Sequence, residues 1–314
     1  MLWAVFPILA SIFYCVGSYI QNHLTDNELP RKRAGSYVIM HIPCFIAAMV
    51  LVVAVFGRAV FMLPITNVVG LLVAGAINVI GSMFYYRALQ AGDTIDITIF
   101  NQTSPLISLG LGVLILGESI NVNQALGFLF IMAAVAIVVF GSQKKRSGPP
   151  NLKVATITLT YAFFSILSDV VYKQFIGGRT ADFTLLGQGF FYFNLGSFLM
   201  SVIFFICIDD WRHALRKTFF RGKHRSMNLF LSGIDSLAYL IAELLYKLAL
   251  ILAPIVALVT AVSKAASLFA SFFIALVLAK VFPRKIHSKK FTKKMIMQYL
   301  FAAVLILVGI VMMN

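Results

Sequence analysis

Residues 253–280 read APIVALVTAVSKAASLFASFFIALVLAK, apolar almost throughout, with one lysine near the middle, Lys264, and another at the end, Lys280. An α-helix rises about 1.5 Å per residue, so this stretch is long enough to cross a hydrocarbon core of about 30 Å with some tilt. Lys264 then lies roughly 16 Å into it, close to the bilayer centre. A lysine at that depth costs about 3 kcal/mol on insertion scales. It persists only if it faces a partner, a water-filled cavity or a bound anion.

The rest of the chain has the same character. Its 314 residues are 61% hydrophobic and 12% charged, against about 25% charge in a soluble domain. Mean hydropathy is +0.94. The apolar residues come in long runs, which predicts an all-α membrane protein crossing the bilayer many times. Residues 2–19 lack a basic start and a small-residue cleavage site, so they are expected to form the first span rather than a cleaved signal. No polar loop is long enough to hold a catalytic domain, and no enzyme activity is expected. Cys15, Cys44 and Cys207 all fall in apolar runs, with spacings that suit neither a disulfide framework nor a metal site. They are expected to be small buried residues.

Ten transmembrane helices are predicted, at about 2–21, 34–56, 67–89, 94–116, 121–140, 154–175, 182–207, 228–250, 254–280 and 295–313. The net charge of +15 would suggest nucleic acid in a soluble chain, but here the basic residues crowd into alternate loops. Loops 1–2, 5–6, 7–8 and 9–10 hold twenty of the 26, whereas the loops of the other side hold only Arg58 and Arg179. The positive-inside rule therefore places the basic loops in the cytoplasm and both termini opposite. No nucleic-acid partner is expected. A bacterial inner membrane is the expected location.

The two halves look related. Tyr86-Arg87-Ala88-Leu89 precedes the fourth span and Tyr246-Lys247-Leu248-Ala249 the ninth, an offset of 160 that sets Ser104 opposite Lys264. Five spans per repeat is odd, so the second copy must be inverted, and the loop charges agree. The expected division is a first repeat at 1–141, a basic cytoplasmic linker at 142–152, and a second, inverted repeat at 153–314. Inverted repeats recur in secondary transporters, with the site near the midplane at the repeat interface.

The segment YYRALQAGDTIDITIFNQTSPLISLGLGVLILGESINVNQALGFLFIMAAVAIVVF (85–140) resembles the repeat of EamA-type transporters of the drug/metabolite transporter superfamily. The matching features are Ala88-Leu89, Ser104-Pro105, the small-residue run to Leu116-Gly117-Glu118, then Gln124 and Gly127 opening the next span. In the second half the family's proline is missing near 264–266, and Leu-Gly-Glu becomes Leu278-Ala279-Lys280. The resemblance implies a basket of ten helices in two inverted repeats that moves small organic solutes, often exporting amino acids or other metabolites. Sugar-phosphate and nucleotide-sugar carriers are relatives in the superfamily, some with basic residues in the ninth span.

Several residues are candidates for binding such a solute. Lys264 reads either as counter-ion to a substrate carboxylate or phosphate, or as half of a structural ion pair. On the eighth span Asp235, Tyr239, Glu243 and Lys247 recur every four residues on one stripe. Tyr161, Ser165, Asp169 and Lys173 do so on the sixth. Asp169–Lys173 and Glu243–Lys247 are acid-then-base at i,i+4, the favourable order for local pairs, which would leave Asp235 for Lys264. By depth, Asp235 and Glu243 each lie about 6 Å from Lys264 on opposite sides. A lysine alternating between them, or either acid taking up a proton, would serve gating or coupling.

On the fourth span Pro105 frees the carbonyl of Asn101, and Asn101, Gln102, Thr103 and Ser104 cluster at that break. Asn78, Ser82, Tyr85 and Tyr86 form a polar stripe on the third span; Ser11, Tyr14, Ser18 and Gln21 form one on the first. Of these, Asn78 and Tyr14 are taken with Lys264, Asp235, Glu243, Asn101, Gln102, Ser104, Tyr239 and Asp169 as the candidate substrate-binding set. Ser263, Ser267 and Ser271 suit close helix packing, and a homodimer is left open. Trp211, Leu215 and Phe219, with Arg212, Arg216 and Lys217 between them, suit an amphipathic segment on an anionic cytoplasmic leaflet.

No nucleotide-binding glycine loop and no metal motif occurs, so neither cofactor nor metal is expected. The expected function is secondary active transport, as exporter or exchanger, of small solutes such as amino acids, by alternating access around a midplane cavity. The alternatives are a flippase for lipid-linked sugars or polyprenyl phosphates, a sugar-phosphate or nucleotide-sugar antiporter, and a non-transporting scaffold.

Overall fold

The computed structural model describes residues 2–29, 33–91, 97, 100–143, 152–176, 183–222, 224–281 and 293–312. Most of the basic linker, the centre of the loop before the last helix, and Arg31, Lys32 and Arg179 lie outside them. The described residues are helical and include no strand. The helices are α1 (Leu2–His23), α2 (Ile42–Phe56), α3 (Ile65–Ala91), α4 (Ser104–Leu111), α5 (Val122–Gln143), α6 (Leu152–Ile176), α7 (Phe183–Cys207), α8 (Asp209–Leu215), α9 (Arg225–Leu252), α10 (Val256–Val281) and α11 (Lys293–Met312). A 3-10 segment, Ala34–His41, leads directly into α2. Nine of the ten predicted spans overlap a helical segment closely; of the one at 94–116 the segment described is α4 with the turn at 112–116, and residues 94–96, 98 and 99 lie outside the described residues. α8 is the added one, short and lying in a basic loop.

Among the described residues five segments are long and apolar enough to cross a membrane: Trp3–His23, Ala34–Phe61, Ile65–Ala91, Leu152–Ile176 and Phe183–Cys207. Apolar helices of shorter length include Ser104–Leu116, Val122–Ile137 and Val256–Ser271. α9 has the length of a span but carries Asp235, Glu243 and Lys247 on its buried side. Such a helix tolerates lipid only if those charges face protein.

Prolines and caps fix the ends. Pro43 and Pro105 occupy the first turns of α2 and α4, where a missing N–H costs nothing. At the start of α5, Asn121 and Gln124 cap each other reciprocally: the Asn121 N–H donates to Gln124 Oε1 (3.1 Å) and the Gln124 N–H to Asn121 Oδ1 (2.8 Å). Gln124, one of the features of the family resemblance, therefore serves as a helix start.

α3 packs on α6 and α7, α1 on α9 and α10, α2 on α7, α5 on α11, and α4 on both α6 and α10. Lipid tails give no hydrophobic drive for helices to associate, so small residues permit the closest contacts. Gly75 of α3 lies against the Phe193 carbonyl, and Gly196 of α7 against the Leu72 carbonyl. A Cβ at either position would strike backbone. The Ser197 hydroxyl then donates to the Gly75 carbonyl at 3.1 Å.

α8 departs from its expected place. Trp211, Leu215 and Phe219 are buried in the protein, in one cluster with Leu24, Tyr37 and Tyr86, instead of lying on lipid. The bundle presents an aromatic surface there, and Trp211 packs edge-on to Phe204. Arg216 and Lys217 stay exposed. Cys207, at the end of α7, is exposed as well, unlike buried Cys15 and Cys44.

Candidate functional site

Polar and charged side chains from α1, α3, α4, α6, α9 and α10 meet inside the bundle in three groups. The first surrounds Asp235, which is fully buried. Gln21 Nε2 donates to its Oδ1 (2.9 Å) and the Tyr37 hydroxyl to its Oδ2 (2.8 Å). His41 Nε2 stands 3.7 Å from Oδ2 and 2.8 Å from the Tyr86 hydroxyl. A side chain at Gly17 would bring its Cβ to 2.8 Å from Asp235 Oδ1, so the glycine makes room for the carboxylate.

The second group is built on Lys247, 1% exposed. Its Nζ bonds Asp169 Oδ1 at 2.7 Å and Glu243 Oε1 at 3.2 Å. It also lies 4.1 Å from the Phe193 ring centroid and 4.7 Å from that of Tyr172. The Tyr14 hydroxyl donates to the free Glu243 oxygen, Oε2, at 2.5 Å. Beside it, Asn78 Nδ2 donates to the Tyr239 hydroxyl at 2.8 Å, and the Tyr14 and Tyr239 rings meet edge-on. This ammonium is fully compensated, as burial of a charge requires.

The third group contains Lys264. Its Nζ donates to Asn101 Oδ1 at 3.1 Å, and no carboxylate lies within ion-pair distance of it among the described residues. Lys264 and Asn101 are half-buried. The Ser104 hydroxyl lies 2.7 Å from the Asn101 carbonyl that Pro105 releases and 3.0 Å from Asn101 Oδ1, so the break closes on its own hydroxyl and the amide oxygen is shared between Ser104 and the lysine. Gln102 is buried nearby in sequence, but its Oε1 has no hydrogen-bond partner among the described residues, and it does not join Lys264.

Three expectations are corrected here. Asp235 does not pair with Lys264, because α1 packs on both α9 and α10. Tyr14, Gly17 and Gln21 of α1 face the α9 carboxylates, while Ser11 and Cys15 face Ser263, Ser267 and Ser271 of α10. For the same reason no lysine sits between Asp235 and Glu243. The i,i+4 pair Asp169–Lys173 also does not form. Asp169 is taken by Lys247 from across the bundle, and Lys173 turns to Glu118 at 2.9 Å and to the carbonyls of Ala253 and Pro254 at 3.0 and 3.1 Å. The Glu243–Lys247 pair forms as expected.

Glu118, singled out from the sequence only as the end of the Leu116-Gly117-Glu118 match, does more. Both its oxygens accept the Val256 N–H at 3.1 Å, so it caps α10 while neutralising Lys173. Its place at the end of the Leu116-Gly117-Glu118 match was the signal. His41 and Tyr37 were also missed. A histidine inside the apolar second span was a usable sign that a polar partner waits across the helix interface.

Two cavities lie outside this core. One of about 540 Å³ opens between α3 and α6, lined by apolar residues such as Val69, Val73 and Phe175. The other, of about 780 Å³, lies near α8. Neither is lined by a candidate residue.

Residues 1–140 match the model of the EamA-like transporter family, and the apolar helices are those of a multi-pass membrane protein. The chain is also similar to an uncharacterized transporter of Clostridium kluyveri, 31% identical over 117 residues. That match spans 36% of this chain and 37% of the relative. A crystal structure of another protein superposes with a TM-score of 0.64, covering 99% of this chain and 94% of its own at 14% identity, which is a likeness of fold.

Proposed function

We propose that this chain is a secondary transporter of small organic solutes bearing a carboxylate or phosphate, with Lys264 as counter-ion to that group. The observation that carries the reading is the state of Lys264. It sits near mid-span with a neutral amide for company, whereas Lys247 and Lys173 each hold a carboxylate. An intramembrane ammonium without an anion is costly unless an anion arrives. Tyr14, Asn78, Asn101, Tyr239 and Lys264 are each half-buried despite their place between helices, which supports a wet pocket there.

The packing supports two inverted five-helix halves moving about this site. Under the 160-residue offset, α3 on α6 corresponds to α1 on α9, and α4 on α6 to α1 on α10. The α2–α7, α4–α10 and α5–α11 contacts map onto themselves. Such symmetry lets one half take the other's conformation, which is the basis of alternating access.

The test is a screen for metabolites that raise the melting temperature of the purified protein, followed by counterflow in proteoliposomes with the hits. Saturable exchange of an anionic or zwitterionic solute, abolished in Lys264→Ala, is expected. Exchange undiminished in that variant would remove the counter-ion role, and a protein that exchanges none of the stabilising solutes would remove the transport reading.

A further inference from the structure

We propose that the groove between α2 and α8 is a binding site for an anionic phospholipid, separate from the transport pathway. Its volume of about 780 Å³ is large for an accidental crevice, and its wall divides by chemistry. Ile42, Pro43, Phe205 and Phe220 supply an apolar floor, while Arg212 and Arg216, with His213, stand on its rim. The groove is on the side of the basic loops, at the level where α7 ends and α8 turns along the bundle. A molecule that is apolar below and negatively charged at the top matches it.

The local charge balance selects an anion. Asp209 and Asp210 are the acids of α8, and both are taken: Asp209 by Arg212, Asp210 by Arg33 at 3.3 Å. Arg216 is exposed and has no anionic partner among the described residues. The Arg212 guanidinium lies 6.0 Å from the Phe205 ring centroid, which holds it at the groove edge. A phosphate at Arg216 accepts forked hydrogen bonds from its unpaired guanidinium, with Arg212, paired to Asp209, beside it. The acyl chains then run along Phe205, Pro43 and Ile42 into the bilayer. Because the buried face of α8 is already fixed to the bundle, the site is rigid rather than a general attraction to the leaflet.

Delipidated protein in detergent is melted with dioleoylphosphatidylglycerol, with dioleoylphosphatidylcholine, and with glycerol phosphate. Phosphatidylglycerol at a hundredfold excess over its Kd should raise Tm by about 5 °C. Phosphatidylcholine and glycerol phosphate should give little. Arg216→Gln should lose most of that shift. Its side chain has no partner to orphan, so the fold is unaffected. Lys217→Gln removes the same charge one residue away, outside the groove, and should keep the shift. Equal stabilisation by the two lipids, equal loss in both variants, or a full effect from glycerol phosphate would each overturn the proposal.

Discussion

Lys247 and Lys264 sit on consecutive helices, both deep in the bundle, and they are solvated in opposite ways. Lys247 is sealed between two carboxylates and two aromatic faces. Lys264 is half-buried and shares one hydrogen bond with a side-chain amide. A charge whose field is already cancelled can only hold structure together. A charge left uncancelled has its full attraction available to a molecule that visits. On the proposed reading, the pair separates scaffold from site within one protein.

The sharpest way to break this comparison is Lys247→Met. It would strand Asp169 and Glu243 without their cation, at a cost of about 3–5 kcal/mol. A large drop in melting temperature and in yield of folded protein is expected, and adding Asp169→Asn should recover part of it. An unchanged melt would mean that Lys247 is no more structural than Lys264. Next comes Lys264→Ala, which should weaken binding of an anionic solute about a hundredfold, as loss of one member of a buried charge pair does. Its melt should stay near that of the parent, and Lys264→Arg should restore part of the binding in isothermal titration.

A third substitution sharpens the contrast. Asn101→Asp gives Lys264 the carboxylate it lacks and should convert it into a second Lys247. Solute affinity is expected to fall about tenfold, or 1.4 kcal/mol, with melting temperature unchanged or higher. Stronger solute binding in this variant would contradict the counter-ion role. The smallest effect belongs to Tyr14→Phe, which removes one hydroxyl from Glu243. A loss of about 1 kcal/mol in denaturant unfolding is expected, with transport retained.

The helical segments other than the fourth, where the described helix starts at Ser104 and not near 94, were legible to within a few residues, because long apolar runs bounded by basic loops obey simple lengths. Depth along each helix was legible too, since rise per residue sets it. Neighbours around each helix were not. Depth arithmetic placed Asp235 and Glu243 near Lys264, but it carried no sign that α1 would stand between them. The Asp169–Lys173 expectation failed for a related reason. The i,i+4 rule describes a weak preference on helix surfaces in water, about 0.2–0.5 kcal/mol. In a bundle interior, a cross-helix partner that satisfies two acids at once outweighs it. Asn101 was legible as a break in the fourth span. Its actual use, an amide turned toward a lysine of another helix, required the packing.

The seam held by α1 has a consequence of its own. A helix is about 10 Å across, and this one keeps the Lys264 ammonium on one flank out of ion-pair reach of Asp235 and Glu243 on the other. It works as an insulator between opposite poles that would otherwise discharge onto each other. On the reading proposed above, an anion that reaches Lys264 draws on a potential that depends on that wall, so the first helix, which carries no charge of its own in the core, would help to maintain it.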